Sequence, residues 1–172
     1  IKKNIPLKPL NTFGINVVAR EFASVKSTKD LAKILNTNKS NLLVIGGGSN
    51  ILLTKDVDAL VLHINIKGIE IVSVCENNVR VRVAAGENWH ELVLWCHHHG
   101  LHGLANLALI PGSVGAAPIQ NIGAYGVEVA QCSCGCGGRG QEGGGEGGVR
   151  EQTAESFGRL ALHGQQVLDH HA

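Results

Sequence analysis

Hydrophobic and polar positions change rhythm several times along this chain, and each change marks an element. Arg20-Glu-Phe-Ala-Ser-Val25 has the make-up of a strand, reached through a turn at Asn11-Thr-Phe-Gly-Ile15. Leu31, Ile34 and Leu35 fall on one side of a short helix, and Ser27-Thr-Lys-Asp30 ahead of them has capping-box spacing. Leu42-Leu-Val-Ile45 is a continuous apolar run of strand length, which predicts a buried strand. It runs straight into Gly46-Gly-Gly-Ser-Asn50, after which Ile51-Leu-Leu53 resumes the apolar text. Ala59-Leu-Val-Leu62 and Ile69-Glu-Ile-Val-Ser-Val74 predict further strands. Val79-Arg-Val-Arg-Val83 alternates strictly, giving one wet face and one core face, with Cys75-Glu-Asn-Asn78 as the hairpin turn before it.

The helical period then returns. Trp89, Leu92, Val93 and Cys96 share a face, Asn88 stands at the cap and Glu91 at the third helical position. His97-His-His99 suggests a metal, but consecutive helical residues point in different directions. Solvated histidines at a helix end, favoured there by the dipole, are the better account, and Gly100 ends the helix. The order is strand, helix, strand, loop, strands, helix, then a Gly-rich segment. That is an α/β or α+β domain without an internal repeat.

Asn106 to Glu128 is apolar yet studded with Gly and Pro, so it is neither a plain helix nor a strand of an ordinary sheet. Little side-chain bulk and many backbone N–H groups suit it to lie against a large, flat, phosphate-bearing ligand. The alternative is a Gly-rich buried loop held for packing. Pro111-Gly112 and Ala117-Pro118 fix turns, and Gly112, Gly115, Gly123 and Gly126 permit close backbone approach. Gln120 and Asn121 offer amide groups to a heteroaromatic edge. Tyr125, the chain's single tyrosine, is either a ligand hydrogen-bond partner or an ordinary half-buried residue.

Gly46 to Asn50 follows a strand, so its successive amides can form an anion nest for a pyrophosphate, with Ser49 and Asn50 adding side-chain donors; a plain tight turn is the equal alternative. A dinucleotide fingerprint fails because Ile51 stands where a small residue is needed, and a Walker loop lacks its Gly-Lys-Ser/Thr ending. Two Gly-rich apolar loops in one small domain favour a shared large ligand.

Composition bounds the rest. The chain has 172 residues, a net charge of +1 and no basic patch, which gives no reason to expect nucleic acid. No apolar run reaches membrane-span length, no signal-peptide pattern opens the chain, and five Cys do not form a disulfide framework. A cytoplasmic protein is expected. The sequence begins at Ile1 and has no Met, so a missing natural start is expected too.

From Cys132 the text changes to a Gly- and Cys-rich run with hardly any core formers, which resists ordering. Beyond it, Phe157, Leu160, Leu162, Val167 and Leu168 allow at most a short amphipathic helix. The boundary near residue 131 divides a first domain, 1–131, from a tail, 132–172. A metal tract of Cys132, Cys134 and Cys136 with His163, His170 and His171 is the weaker reading of that tail, since zinc sites more often use pairs spaced by two to four residues. Cys75 and Cys96 read as small core residues.

Several segments, in order, resemble one family: Asn11-Thr-Phe-Gly14, Gly46-Gly-Gly-Ser-Asn50, Lys67-Gly-Ile-Glu70, Ala85-Gly-Glu-Asn-Trp89, Gly103-Leu-Ala-Asn106 and Ile110 to Gly126. The family is UDP-N-acetylenolpyruvoylglucosamine reductase, also called UDP-N-acetylmuramate dehydrogenase, of bacterial cell-wall synthesis. The resemblance runs from about Leu7 to about Val129, the N-terminal half of such an enzyme. It implies an α+β fold, the FAD-binding domain of the vanillyl-alcohol-oxidase type, with two small α/β subdomains clasping FAD. It implies that Gly46, Gly47, Gly48, Ser49 and Asn50 hold the pyrophosphate. Pro111, Gly112, Ser113, Gly115, Ala116, Ile119, Asn121, Gly123 and Tyr125 would line the flavin.

In the family, NADPH reduces the flavin, which passes hydride to the enolpyruvyl double bond of a UDP-sugar. A serine donates the second proton with help from a glutamate, and an arginine polarises the substrate carboxylate. After Gln131 the family's further strand, its Arg-Phe-Gly-Tyr-Arg type of segment and its substrate domain find no counterpart. Ser156-Phe-Gly-Arg159 is a faint echo, and the arginine's role is not carried onto Arg159. The resemblance thus implies a chain that keeps residues for holding a flavin and lacks those for using it, the tail having the look of a frameshift, fusion or mis-joined fragment. The alternative is a flavin- or nucleotide-binding module without catalysis.

Overall fold

The structure is a computed structural model that describes residues 1–38, 41–75, 78–132, 134–135 and 165–171. Two four-stranded sheets stand side by side, each covered by one helix.

The first sheet holds β1 (Lys2–Pro6), β2 (Val18–Val25), β3 (Leu42–Ile45) and β4 (Val57–Ile64) in the order β1-β2-β4-β3. β1 is antiparallel to β2, while β2 and β3 both run parallel to β4. Helix α1 (Thr28–Thr37) makes the crossover between β2 and β3. Its start is set locally, because the Ser27 hydroxyl accepts the Asp30 amide at 3.1 Å. Leu31 is buried under it against Ala23, Val25, Leu60, Leu62 and Ile64. The opposite face of the sheet packs Leu7, Val17, Phe22, Ile45, Leu53 and Val61.

One expectation changes here. Leu42 to Ile45 is a strand, but an edge strand with Leu42 and Val44 exposed rather than a buried one. An apolar run alone cannot separate those cases, and the outer face of this strand borders the cleft described below. β1 had no apolar signature, because it adds almost nothing to the core and is held by backbone pairing with β2.

The second sheet runs β5 (Ile69–Cys75), β6 (Asn78–Ala84), β10 (Gln165–His171) and β9 (Cys134–Gly135), in the order β5-β6-β10-β9. The alternation in β6 is realised: Val79, Val81 and Val83 are buried while Arg80 is exposed. Helix α2 (Trp89–His98) covers that face with Trp89, Leu92, Val93 and Cys96. Asn88 caps it by accepting the Glu91 amide at 3.1 Å. Residues 165–171 correct the expectation of a helix around Val167 and Leu168. They pair antiparallel with the whole of β6, from Gln165 opposite Ala84 to His171 opposite Asn78. Seven residues are few for a helix, whereas the β6 edge offers a full row of backbone partners. Of the proposed metal tract, Cys136 and His163 lie outside the described residues.

The two sheets meet where β4 ends and β6 ends. Gly86 donates to Ile66 O at 3.0 Å, and a Cβ on Gly86 would sit 2.6 Å from the Ile66 nitrogen. Only glycine lets the two chain ends come this close. Among the described residues, no helix is long and apolar enough to cross a membrane.

Candidate functional site

The two Gly-rich segments converge on this seam. Gly46 to Asn50 leaves the end of β3, and residues 105–129 fold as short 3-10 turns at Ala105–Leu107, Val114–Ala116 and Pro118–Gln120. A tight hairpin follows, in which β7 (Gly123–Ala124) pairs with β8 (Val127–Glu128). Tyr125 and Gly126 turn it with φ of +53° and +78°, the backbone sign that a two-residue hairpin loop of type I′ requires.

The long segment turns one side inward. Leu107, Val114 and Ala117 lie in the core beneath α2, and Trp89 Nε1 donates to Leu107 O at 2.9 Å. Its backbone is pinned to the start of α2: the Trp89 amide donates to Gly112 O, Val114 to Glu87 O and Gly115 to Ala85 O, at 2.9–3.1 Å. The segment is therefore both of the things its composition allowed, a packed loop on one side and a cleft wall on the other.

The other side meets the β3 loop so closely that side chains are excluded. A Cβ on Gly46 would stand 2.2 Å from Ser113 Oγ, and one on Gly47 would stand 3.1 Å from the Gly112 Cα. Gly48, at φ +66°, would drive a Cβ to 1.9 Å from Leu10 O. These three glycines answer to protein contacts, not first to a ligand. Behind them Asn11 is buried and acts as a brace. Its amide donates to Leu7 O and Ile15 O and accepts from the Ile15 amide, while Thr12 donates to Gly48 O at 3.0 Å. The role of Asn11 was not visible in the sequence, where it read only as a turn residue.

Between the two loops opens a cleft of about 250 Å³. Of the sequence-derived residues, Gly46, Gly47, Gly48, Ser49, Asn50, Ser113, Gly115, Ala116 and Ile119 line it together. Val44, Ile45, Ile51, Ile64, Ala85 and Gln120 complete the lining. Apart from Gln120, already noted for its amide, that list extends the sequence-derived set. Ala85 could have been found from the motif that contains it, whereas Val44 and Ile64 owe their place to the sheet.

The remaining sequence-derived residues stand elsewhere. Pro111 and Gly112 back the wall, Pro111 O accepting from Ser49 Oγ at 3.2 Å. Asn121, in a left-handed conformation at φ +42°, donates to Glu128 Oε2 at 2.6 Å and accepts the Ala130 amide. Gly123 lies in β7, where a Cβ would come 3.0 Å from the Glu128 side chain. Tyr125 is 90% exposed at the hairpin tip, neither half-buried nor lining the cleft.

The chemistry of the cleft suits a phosphate-bearing ring system. Among the described residues, no charged side chain lines it. Among the described residues, the amides of Gly47, Ser49 and Asn50 have no protein acceptor, so their dipoles are available to an anion at the strand end. Ala85, Ala116, Ile51, Ile64 and Ile119 supply small apolar surface for a flat ring. This donor set is compatible with FAD, whose pyrophosphate backbone amides can hold without basic side chains.

The histidines at the end of α2 are exposed, as expected of solvated helix-end groups, and two of them also make specific contacts. His99 Nδ1 is 2.8 Å from Trp95 O, and His97 Nδ1 faces His102 Nδ1 at 3.2 Å. Cys96 is fully buried, as expected of a core residue, and burial pushes its thiol up to about 12.

Comparison with known proteins agrees with this geometry. The family described as FAD binding domain matches residues 19–136. UDP-N-acetylenolpyruvoylglucosamine reductase of Amoebophilus asiaticus is 53% identical over 134 residues, covering 76% of this chain and 40% of the relative. The protein of the same name from Flavobacterium johnsoniae is 49% identical over 137 residues, 79% of this chain and 41% of the relative. A solved UDP-N-acetylenolpyruvylglucosamine reductase from Thermus caldophilus superposes with a TM-score of 0.63 at 26% identity, covering 76% of this chain and 46% of that one. The chain thus spans about two fifths of the length of the sequence relatives it matches. With more than half of its residues matched, the chain belongs to the FAD-binding domain family, whose cofactor is FAD.

Proposed function

We propose that this chain is the FAD-holding part of an NADPH-dependent reductase that converts UDP-N-acetylglucosamine enolpyruvate to UDP-N-acetylmuramate, and that it does not turn over alone. The observation that carries the reading is the meeting of two Gly-rich loops on one cleft, in a chain about half identical to reductases of that name. FAD, when bound, supplies the hydride-transfer chemistry, and the chain's task is to hold and orient it. In this reading Gly46 to Asn50 hold the pyrophosphate through their amides, and Ser113, Gly115, Ala116 and Ile119 face the flavin. Pro111, Gly112, Asn121 and Gly123 fix the wall from behind, and Tyr125 reaches ligand only beyond the cleft.

The Arg-Phe-Gly-Tyr-Arg type of segment and the substrate domain with the serine and glutamate that the family resemblance calls for find no counterpart in the sequence after Gln131. In this reading residues 1–131 form the cofactor domain and 132–172 are a tail, two short stretches of which, β9 and β10, pair onto the second sheet. In this reading the protein works in the cytoplasm, in peptidoglycan-precursor synthesis and hence in cell shape, the cell cycle and division, with NADPH and a UDP-sugar as small-molecule partners. The test is to supply the full chain with FAD, NADPH and the enolpyruvyl UDP-sugar. NADPH oxidation should be no faster with the sugar nucleotide than without it. Sugar-dependent oxidation would overturn the claim that the chain is inactive alone.

A further inference from the structure

The end of α2 away from the cleft carries a pair of imidazoles that the flavin reading leaves unused. His97 lies in the last turn of the helix and His102 lies beyond its cap. The cap between them is tightly built: Gly100, at φ +74°, donates to His97 O at 3.0 Å, and the Leu101 amide donates to Cys96 O at 2.9 Å. Leu101 is buried, which anchors the returning chain. The fold thereby carries His102 back to His97, leaving their Nδ1 atoms 3.2 Å apart with both side chains at the surface.

Two nitrogens bound at about 2.1 Å to one ion lie about 3.4 Å apart at a tetrahedral angle and about 3.0 Å apart at a right angle. The 3.2 Å spacing of the pair falls between these two bites. The ring centroids are 5.0 Å apart with planes inclined by 64°, so the two nitrogens meet at an angle rather than end to end. Two facing Nδ1 atoms in a hydrogen bond cannot both carry protons, so one lone pair already points into the gap. When an ion enters, the ring that donated its Nδ1–H takes the Nε2–H tautomer, and neither imidazole changes charge.

We propose that His97 and His102 form a two-imidazole chelate for a divalent transition-metal ion of the nickel, copper or zinc class. Neutral imidazole suits these ions, and water completes the coordination. The site is open and bidentate, since among the described residues no group of three or more His, Cys, Asp or Glu side chains is placed to hold a metal. His98 and His99 are not part of it: His98 meets His97 only edge to face at 6.4 Å, and His99 is engaged with Trp95 O.

The test is a titration of the full, uniformly 15N-labelled chain with nickel chloride at neutral pH, read by paramagnetic broadening of amide resonances. Residues 97–103 should broaden at less than one equivalent. In His102→Ala and, independently, His97→Gln, the same broadening should need at least tenfold more nickel, while His98→Ala titrates like the parent. Both substituted side chains are exposed, and the dispersion of the remaining spectrum reports that each variant is folded. Broadening at 97–103 that is unchanged in both variants would overturn the proposal. So would broadening confined to other parts of the chain.

Discussion

Gly48 shows how much of this site is settled by single residues. Its left-handed backbone and the Leu10 carbonyl beside it make two separate demands for glycine. Gly48→Ala should therefore lower unfolding free energy by about 2 kcal/mol or more in urea titration, the left-handed penalty plus a clash. Gly14 has the same backbone sign, φ +65°, but open space around it, so Gly14→Ala should cost only about 1 kcal/mol. The difference between the two variants reads the packing alone. His63 gives a pH signature. Burial, and then the nearby Lys67 charge, lower its imidazole below the ordinary value, so the folded state prefers the neutral ring. A lowered pKa adds stability that is present above about pH 6.5 and is lost as pH falls toward the folded value. His63→Gln should flatten the pH dependence of stability below pH 6.5, measured as urea midpoints across that range.

Among elements, the contact that matters most for the site joins α2 to the Gly-rich wall. Trp89 is buried, and its indole N–H satisfies Leu107 O while its amide holds Gly112 O. Trp89→Phe keeps most of the apolar bulk but strands the Leu107 carbonyl. It should cost about 1–3 kcal/mol in chemical denaturation, with amide exchange rising first in residues 107–116. α1 and α2 were readable because caps and apolar faces are local signals: Ser27, Asn88 and the Trp89–Leu92–Val93–Cys96 face all fall where the spacing places them. β6 was readable from its alternation. β1 was not, since it is polar and owes its existence to pairing with β2. The edge position of β3 was hidden for a related reason, because strand order is a tertiary fact that Leu42-Leu-Val-Ile45 does not encode. In the site, motif residues were legible as a set. Which of them face the cleft and which brace it from behind depends on turns such as Asn121 at φ +42° and Tyr125 at φ +53°.

At the scale of the whole molecule, the cleft exists because two sheets with separate cores share a seam at Ile64–Ile66 and Ala84–Gly86. A ligand lying there touches both and joins them. The second sheet is completed by β10, a strand beyond the residues that the family model matches, which satisfies the β6 edge through backbone pairing. β10 also lies against the turn at Val114–Ala116 in the cleft wall. From this arrangement the molecule is expected to hold FAD on its own. The direct measurement is the thermal midpoint of the purified full chain with increasing FAD, with riboflavin, which lacks the pyrophosphate, as comparison. The midpoint should rise progressively with FAD, as it must when a ligand binds only the folded state, and rise far less with riboflavin. A midpoint that FAD leaves unmoved, with flavin fluorescence unchanged by the protein, would contradict the account.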